Sequence, residues 1–475
     1  MSLIRSAIDF VSLRPWRWVS LSVVAALSIT YLAAILYLVW AYPTITFSPG
    51  DETKPIVKMP DDFLFGTATS AHQIEGGNDK NDWAAFEREA GRIKHGDVSG
   101  QACDSWNRID DDIALMQELG ANSYRFSIEW SRLEPTDGVW DDAAWNHYAG
   151  QLKKLKAHGI APMVTLLHFT LPHWLAQRGG ATAADFPEKF GRFARVAAER
   201  LGPDVALWCT INEPNIMMYF GYVTGIFPPG KKSNADAVHA FAGLVRAHAA
   251  ATVALKQVAP KAKVGAAIHL VDFEPKQRWN LADWGAAHAA ASAFNWAFCD
   301  SIQSGHIRFN APGFPSINEP LPACAPVDFI GVNYYRRDLV HFALTTPGLI
   351  ETGPGPGEQN DLGWEIHPEG LLVLLREVHH RYHVPIYITE NGLADAHDTK
   401  RAPFLRQHLH ALQRAVNEGI PVKGYYHWSL LDNFEWAEGF EPRFGLYKMN
   451  YKTLSRTPTA GAEMFKKIAR ELGTK

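Results

Sequence analysis

The chain has 475 residues, of which 47% are hydrophobic and 20% are charged, so it can bury a large core and is not disordered. Its formal net charge is −4 and it has no long basic runs, which argues against a nucleic-acid partner. The four cysteines form no close pair and no metal-type spacing, and they indicate neither a disulfide framework nor a metal site; they are Cys103, Cys209, Cys299 and Cys324.

The first predicted element is an apolar segment near the N-terminus. Trp18–Trp40 contains no charged residue, and 23 residues at about 1.5 Å each make roughly 35 Å of helix, enough to span a bilayer. Arg5, Arg14 and Arg17 precede it, so the positive-inside rule places the N-terminus in the cytoplasm. A cleavable signal peptide has a shorter apolar stretch, about 7–15 residues. The pattern therefore predicts an uncleaved, single-pass membrane anchor.

This interpretation divides the chain into four parts. The catalytic part is expected on the far side of the membrane, which is periplasmic, extracellular or lumenal. The predicted parts are a cytoplasmic segment at 1–17, a transmembrane anchor at 18–42, a linker containing proline and glycine at 43–60, and a folded domain at 61–475.

In the folded domain, apolar β-rich runs alternate with stretches of helical spacing. Eight strands that are each followed by a helix imply parallel pairing with right-handed crossovers. Closing such a sheet gives a (β/α)8 TIM barrel, whose active sites lie at the C-terminal strand ends. A doubly wound open sheet is the alternative.

The predicted strands are Phe63–Gln73, Ala121–Ile128, Ile160–His168, Val205–Glu213, Lys263–Phe273, Val327–Tyr335, Pro385–Glu390 and Val422–Ser429. The clearest predicted helices are Ile109–Leu119, Asp141–His158, Pro187–Leu201, Ala235–Val258, Leu281–Ser304, Pro368–Tyr382, Pro403–Asn417 and Ala460–Leu472. Two stretches rich in proline and glycine, Ala311–Pro326 and Ala343–Gly363, are expected to be long loops.

Two of the predicted strands end in a glutamate that a turn residue follows closely. Glu213 closes the fourth strand in Thr-Ile-Asn-Glu-Pro, and Glu390 closes the seventh in Ile-Thr-Glu-Asn-Gly. In a parallel barrel, both carboxyl groups face one bowl. A retaining glycosidase needs one carboxylic acid to protonate the leaving oxygen and one carboxylate, about 5–5.5 Å away, to attack the sugar carbon. Either motif alone fits an ordinary strand-ending turn, but their joint placement predicts this chemistry.

Seven motifs in order make the chain resemble glycoside hydrolase family 1, the β-glucosidase family, from Phe63 to about Arg470. The resemblance implies a (β/α)8 barrel that hydrolyses O-linked β-glycosides without a cofactor or metal. The motifs are Phe65–Gly76, Tyr124–Arg132, Leu167–Pro172, Thr210–Asn215, Gly331–Tyr335, Ile388–Gly392 and Trp428–Trp436.

The resemblance also implies roles for five catalytic residues. Glu213 would be the general acid and then the general base, and Glu390 would be the ionised nucleophile. Arg125 and Tyr335 would hold Glu390, since a guanidinium favours the carboxylate and a phenol donates a hydrogen bond to it. Asn333 would complete the polar floor.

For the substrate, the family pattern implies a set of hydroxyl-binding side chains and an aromatic platform. Glu435 is the residue of this set that best distinguishes an unphosphorylated sugar from a phosphorylated one. Members of the family that act on phospho-sugars replace this acid, because its carboxylate would repel a phosphate. An unphosphorylated sugar is therefore expected. The predicted binding residues are Gln73, His168, Asn212, Glu435 and Trp436 for hydroxyl groups, Trp428 for stacking, and Trp364 for the aglycone side.

Three functions fit these residues. The first is a membrane-anchored retaining β-glycosidase that acts on a β-glycoside or glycolipid. The second is a transglycosidase that passes the sugar from Glu390 to a lipid or glycan hydroxyl, as in a plant plastid-envelope relative that this arrangement resembles. The third is a non-catalytic receptor, but receptor-type relatives have lost one catalytic glutamate, and both are present here. We predict the first function.

Overall fold

A computed structural model describes residues 2–47, 50, 54–56, 59–322 and 327–474 and, within the first helix, side chains from Val19 onward. Eight parallel strands form a closed barrel, because the seventh strand pairs with the eighth on one side and with the sixth on the other. The (β/α)8 prediction is therefore confirmed. The strands are β1 Leu64–Ala68, β2 Ser123–Ser127, β3 Ala161–Leu167, β4 Leu207–Asn212, β5 Lys263–Pro275, β6 Phe329–Phe342, β7 Ile386–Asn391 and β8 Val422–Trp428.

Helices follow the strands and cover the outside of the barrel. Side-chain caps begin several of them: Asp141 accepts a hydrogen bond from Ala144 N, and Thr459 from Ala462 N. The long helices of the domain are Ile109–Leu119, Asp142–Ala157, Phe186–Leu201, Asn234–Val258, Leu281–Ala291, Ala297–Ser304, Pro368–Tyr382, Arg401–Asn417 and Ala460–Leu472. Short helices are Ala71–Ile74, Asp82–Phe86, Trp130–Leu133, His173–Ala176 and Pro214–Met218.

Two predicted elements differ from the structure. The first predicted strand continues to Gln73, but β1 ends at Ala68 and Gln73 lies in the short helix Ala71–Ile74. All four residues of that helix are buried although His72 and Gln73 are polar, and one helical turn is too short to show a period of its own. The predicted helix Leu281–Ser304 is interrupted by a π-helical turn, which is wider than an α-helical one, at Ser292–Trp296.

The loops also hold more structure than predicted. A strand at Ile317–Pro320 lies in the first predicted loop, where residues 323–326 fall outside the described chain, and Ile350–Gly353 lies in the second. Strands β5 and β6 run beyond the barrel, since Asp272–Pro275 pair in register with Arg337–Val340. This extended ribbon makes one wall above the C-terminal barrel face.

One N-terminal helix, Ser2–Ala41, runs through the predicted boundary between cytoplasmic segment and anchor. Val19–Ala41 is long and apolar enough to cross a membrane, and only 6% of its most apolar window is buried. The core helix Asn234–Val258 meets the same criterion but is 78% buried. The N-terminal helix contacts the barrel where Tyr31 Oη donates to Trp279 O over 2.8 Å.

The described cysteines Cys103, Cys209 and Cys299 are buried free thiols, and Cys209 lies in β4 as predicted. Cys324 lies outside the described residues. These thiols fill core space as small apolar groups.

A buried ion pair joins the C-terminal part of the fold to Ile109–Leu119, the helix before β2. Arg456 Nε lies 2.8 Å from Asp112 Oδ1, and the side chains are 6% and 0% exposed. Arg456 also donates to the carbonyl oxygens of Cys103 and Leu454. Since removal of one partner leaves a buried charge unpaired, this pair is a sensitive point of the fold.

We expect Arg456→Met to lower the free energy of unfolding by about 3–5 kcal/mol, because Asp112 loses its counter-charge. Equilibrium denaturation in detergent measures the change. Adding Asp112→Asn should recover part of the loss. Lys154→Met, which breaks an exposed pair with Asp110, should cost less than about 1 kcal/mol. Equal losses in Arg456→Met and Lys154→Met would contradict the expectation.

Candidate active site

The barrel brings the five predicted catalytic residues to one end. Arg125 lies in β2, Asn333 and Tyr335 in β6, and Glu390 in β7, whereas Glu213 directly follows β4. All five are buried. Since parallel strands present their C-terminal ends at the same face, residues far apart in sequence meet there.

The backbone at Glu213 is left-handed, with φ 47° and ψ 60°, which is uncommon for a residue with a side chain. Its amide donates to Ala267 O of β5 over 2.8 Å, so the neighbouring strand supports this conformation. Phe169 and Trp436, which line the same cavity, also have positive φ angles of 69° and 52°. Such conformations are concentrated at functional sites, where the surrounding structure enforces them.

Both carboxylate oxygens of Glu390 accept strong hydrogen bonds. Arg125 Nη1 lies 2.6 Å from Oε1, and Tyr335 Oη lies 2.6 Å from Oε2. Burial raises the pKa of the Glu390 carboxyl, Arg125 lowers it, and the Glu213 carboxylate raises it; the net direction is upward. Arg125 and Tyr335 therefore oppose the cost of burying an ionised Glu390.

Glu213 has different neighbours. Asn333 Nδ2 donates to its Oε1 over 2.7 Å, and His269 Nδ1 lies 3.0 Å from the same oxygen. His269 also stacks on the Tyr335 ring, with centroids 5.6 Å apart. Thr389 Oγ1 donates to Asn333 Oδ1 over 2.6 Å, which fixes the amide so that its nitrogen faces Glu213.

A chain of hydrogen bonds links the two carboxyl groups. Asn212 Oδ1 accepts from Arg125 Nη2 over 2.7 Å and from Asn333 Nδ2 over 3.0 Å. Through this one oxygen, the residue that binds Glu390 is connected to the residue that binds Glu213. A shared network of this kind holds both groups in fixed relative positions.

His168 follows β3 and joins the same network. Asn212 Nδ2 lies 3.2 Å from His168 Nε2; since Asn212 donates there, the ring proton is on Nδ1. Burial, followed by the charge of Arg125, holds the pKa of His168 well below its usual range, so the ring is neutral. Nδ1 is buried and has no hydrogen-bond partner among the described residues, so this cavity-lining ring keeps an unused donor.

Glu435 is half-buried and lies close enough to Glu390 and Glu213 to be affected by their charges. Gln73 Nε2 lies 3.4 Å from Glu435 Oε2 and also donates to Phe434 O over 2.8 Å. Burial, with the Glu390 charge as the second cause, raises the pKa of Glu435 to about 8. With its pKa raised in this way, the Glu435 carboxyl can donate as well as accept a hydrogen bond near neutral pH.

These groups surround a cavity of about 540 Å³. Trp428 and Trp436 form its aromatic walls, each stacked against His168 with ring centroids 5.8 and 6.0 Å apart. Trp364 lies at the other side, packed on Tyr335 at 5.6 Å. The cavity lining includes Glu213, Glu390, Glu435, His168, Tyr335, Trp364, Trp428 and Trp436.

Four predicted residues lie behind this lining. They are fully or almost fully buried, and each of them contacts a lining residue. They are Arg125, Gln73, Asn212 and Asn333. In this structure Gln73 and Asn212 thus position other side chains. Sequence reasoning missed His269, which lies in a predicted strand but in no recognised motif, and Thr389, which lies in the Ile388–Gly392 motif but whose contact with Asn333 depends on the pairing of β6 and β7.

Outside the cavity, Asp272, Glu274 and His367 have ligand atoms within 4.8 Å of one another. Arg337 Nη1 lies 3.4 Å from Glu274 Oε2, so this group already has a positive partner.

The model of glycosyl hydrolase family 1 matches residues 56–474. The chain belongs to glycosyl hydrolase family 1. It is therefore a glycoside hydrolase, and the resemblance found in its motifs is confirmed. A 1,4-beta-D-glucan glucohydrolase from Thermotoga neapolitana is 34% identical over 423 residues, which cover 84% of this chain and 99% of the relative.

Solved structures agree with this assignment. A family 1 b-glucosidase from Thermotoga maritima superposes with a TM-score of 0.81 and 32% identity over 87% of this chain and 99% of that one. A beta-glycosidase from Pyrococcus horikoshii has a TM-score of 0.81 and 37% identity over 88% and 96% of the two chains. This glycosyl hydrolase family 1 member thus shares the complete barrel of both proteins.

We expect kcat/KM for an aryl β-glucoside to fall when the pH is lowered, because protonation of Glu390 removes the nucleophile. Since the pKa of Glu390 is raised, this fall should be centred above pH 4.5, the usual pKa of a glutamate. In Tyr335→Phe, the ionised form loses a hydrogen-bond donor, so this acid limb should move to higher pH. A pH profile of kcat/KM for both proteins measures the shift. An acid limb that moves to lower pH in Tyr335→Phe would contradict the assignment of these contacts.

Proposed function

We propose that the protein is a retaining β-glycosidase in which Glu390 is the nucleophile and Glu213 is the acid and base. One observation carries the proposal: Glu390 accepts from a guanidinium and a phenol, whereas the Oε1 of Glu213 contacts an amide and an imidazole nitrogen. The contacts of Glu390 favour an anion, the form that attacks carbon. Those of Glu213 include no guanidinium, so its contacts do not select the anion in the same way, and we assign it the role of proton donor and acceptor.

The reaction proceeds in two displacements. In the first, Glu390 attacks the anomeric carbon while Glu213 gives its proton to the leaving oxygen, so the bond from C1 to the aglycone is replaced by a bond to Glu390. In the second, Glu213 takes a proton from water, and the water oxygen displaces Glu390. Two inversions at C1 return the sugar with its original β configuration.

The substrate we propose is a β-linked, unphosphorylated hexose of the glucose or galactose type. Solved structures of the Thermotoga maritima enzyme include complexes with isofagomine lactam and with galacto-hydroximolactam. In this chain, His168 offers a free Nδ1 donor, and Glu435 occupies the position where a carboxylate would repel a phosphate. Trp428 and Trp436 provide flat apolar faces for the sugar ring.

We also propose that the enzyme is anchored in a membrane, with a cytoplasmic segment at 1–17, an anchor at 18–42, a linker at 43–60 and the barrel on the far side. Support comes from the exposed apolar surface of Val19–Ala41 and from the arginines that precede it. The relatives are glucosidases and glycosidases by name, which does not support the transglycosidase alternative.

We expect Glu390→Gln to abolish turnover, since no anion remains to attack C1. Glu213→Gln should slow alkyl β-glucosides about 10²–10⁴-fold but largely spare the first step with aryl glycosides whose leaving group needs no proton. Steady-state rates on an alkyl and a dinitrophenyl β-glucoside separate the two variants. Proton NMR of the wild-type reaction should show the β-anomer first, and initial release of the α-anomer would refute the retaining mechanism.

A further inference from the structure

Beyond the glutamates, the cavity becomes apolar. His269, which contacts Glu213, packs edge-on against Phe294, and Phe294 packs edge-on against Phe273, with ring centroids 6.0 Å apart in both pairs. This side of the lining continues through Ile226, Ala290, Phe314 and Ile350. The two charged residues there, Arg336 and Asp338, neutralise each other across 3.1 Å. The aglycone side therefore offers mainly hydrocarbon and aromatic surface.

One helix connects this apolar side to the N-terminal helix. The amide of Leu281, the first residue of Leu281–Ala291, donates to Tyr31 Oη over 3.4 Å. At the other end of the same helix, Ala289 and Ala290 line the cavity. Eleven residues at about 1.5 Å each span roughly 16 Å, so the anchor and the cavity lie one short helix apart.

A second contact fixes the same face. The Tyr42 ring packs on Trp284 with centroids 5.7 Å apart, and Arg278 donates to Tyr42 O. Tyr31 lies within the apolar span Val19–Ala41, and Trp279, whose carbonyl oxygen it contacts, is 65% exposed. The cavity side of the barrel therefore lies beside the helix that we propose as the anchor.

The exposed apolar residues are concentrated on this side. Beyond Tyr42, which directly follows the N-terminal helix, seven large hydrophobic side chains are exposed in the described part of the chain. Five of them lie on this side. Tyr219 and Ile226 line the cavity, and Trp279 contacts the anchor. Leu344 and Leu349 belong to the Phe342–Ile350 loop, which also contributes lining residues. An apolar rim of this kind marks a binding surface for an apolar partner.

We propose that the substrate is a lipid-linked β-glycoside taken directly from the bilayer, with its sugar between Trp428 and Trp436 and its lipid along the Phe273–Phe294 side. This inference rests on the proposed function and names its aglycone. The bond broken is that from C1 to the lipid oxygen, which receives its proton from Glu213 and leaves as a lipid alcohol. Water supplies the oxygen and hydrogen that complete the free sugar.

The test uses full-length protein in phosphatidylcholine vesicles that contain β-glucosyl diacylglycerol, with dissolved p-nitrophenyl β-glucoside as the second substrate. Free glucose and nitrophenol are measured separately, and the ratio of the two rates is compared among variants. Leu344→Lys places a charge on the rim at a side chain that is 78% exposed, so the fold tolerates it. Val139→Lys makes the same change at a 55% exposed valine outside the cavity lining.

We expect wild-type protein to release glucose from the lipid. Leu344→Lys should lower the ratio of lipid to aryl hydrolysis about tenfold, since a lysine charge opposes contact with lipid, and Val139→Lys should keep the wild-type ratio. Cleavage of the aryl glucoside but not the lipid glucoside overturns the inference and leaves the proposed function intact. Cleavage of neither overturns the proposed function. Equal loss in both lysine variants also overturns the inference.

Discussion

The buried contact between Arg125 and Glu390 is the interaction on which the site depends. A carboxylate that is 4% exposed would be protonated in an apolar barrel mouth, and a guanidinium that is 1% exposed would lack a counter-ion. Each is acceptable in the core only because the other is present. The barrel satisfies the remaining donors of Arg125 with Thr389 O and Asn212 Oδ1, so the pair has little freedom to separate. Because Tyr335 of β6 donates to the other oxygen of Glu390, the geometry around this carboxylate is a property of four strands, β2, β4, β6 and β7.

Much of this arrangement could be predicted from the sequence. Eight apolar runs separated by helical spacing led to the closed barrel, and strand ends placed Glu213 and Glu390 at one face. These inferences succeed because burial on both sides gives parallel strands a strong apolar signal. Boundaries were less accurate where burial continued past the strand, as at Gln73, which lies in a buried helical turn only four residues long.

Other features were out of reach for a physical reason. The wide turn Ser292–Trp296 places Phe294 in the cavity, yet its sequence has the spacing of a continuous helix. His269 contacts Glu213 only because β4 and β5 pair in a shifted register, and register shifts leave no local pattern. The roles of Gln73 and Asn212 depend on which side chains stand between them and the cavity, which is a matter of packing in three dimensions.

The amide of Asn212 connects sugar recognition to reactivity. Its oxygen accepts from Arg125, and its nitrogen lies against His168 Nε2, which places the imidazole proton on Nδ1. The oxygen and the nitrogen of one amide are bonded to the same planar carbon, so neither can be moved without the other. Any replacement of Asn212 therefore alters the surroundings of a cavity-lining imidazole and of the guanidinium that binds Glu390 in a single step.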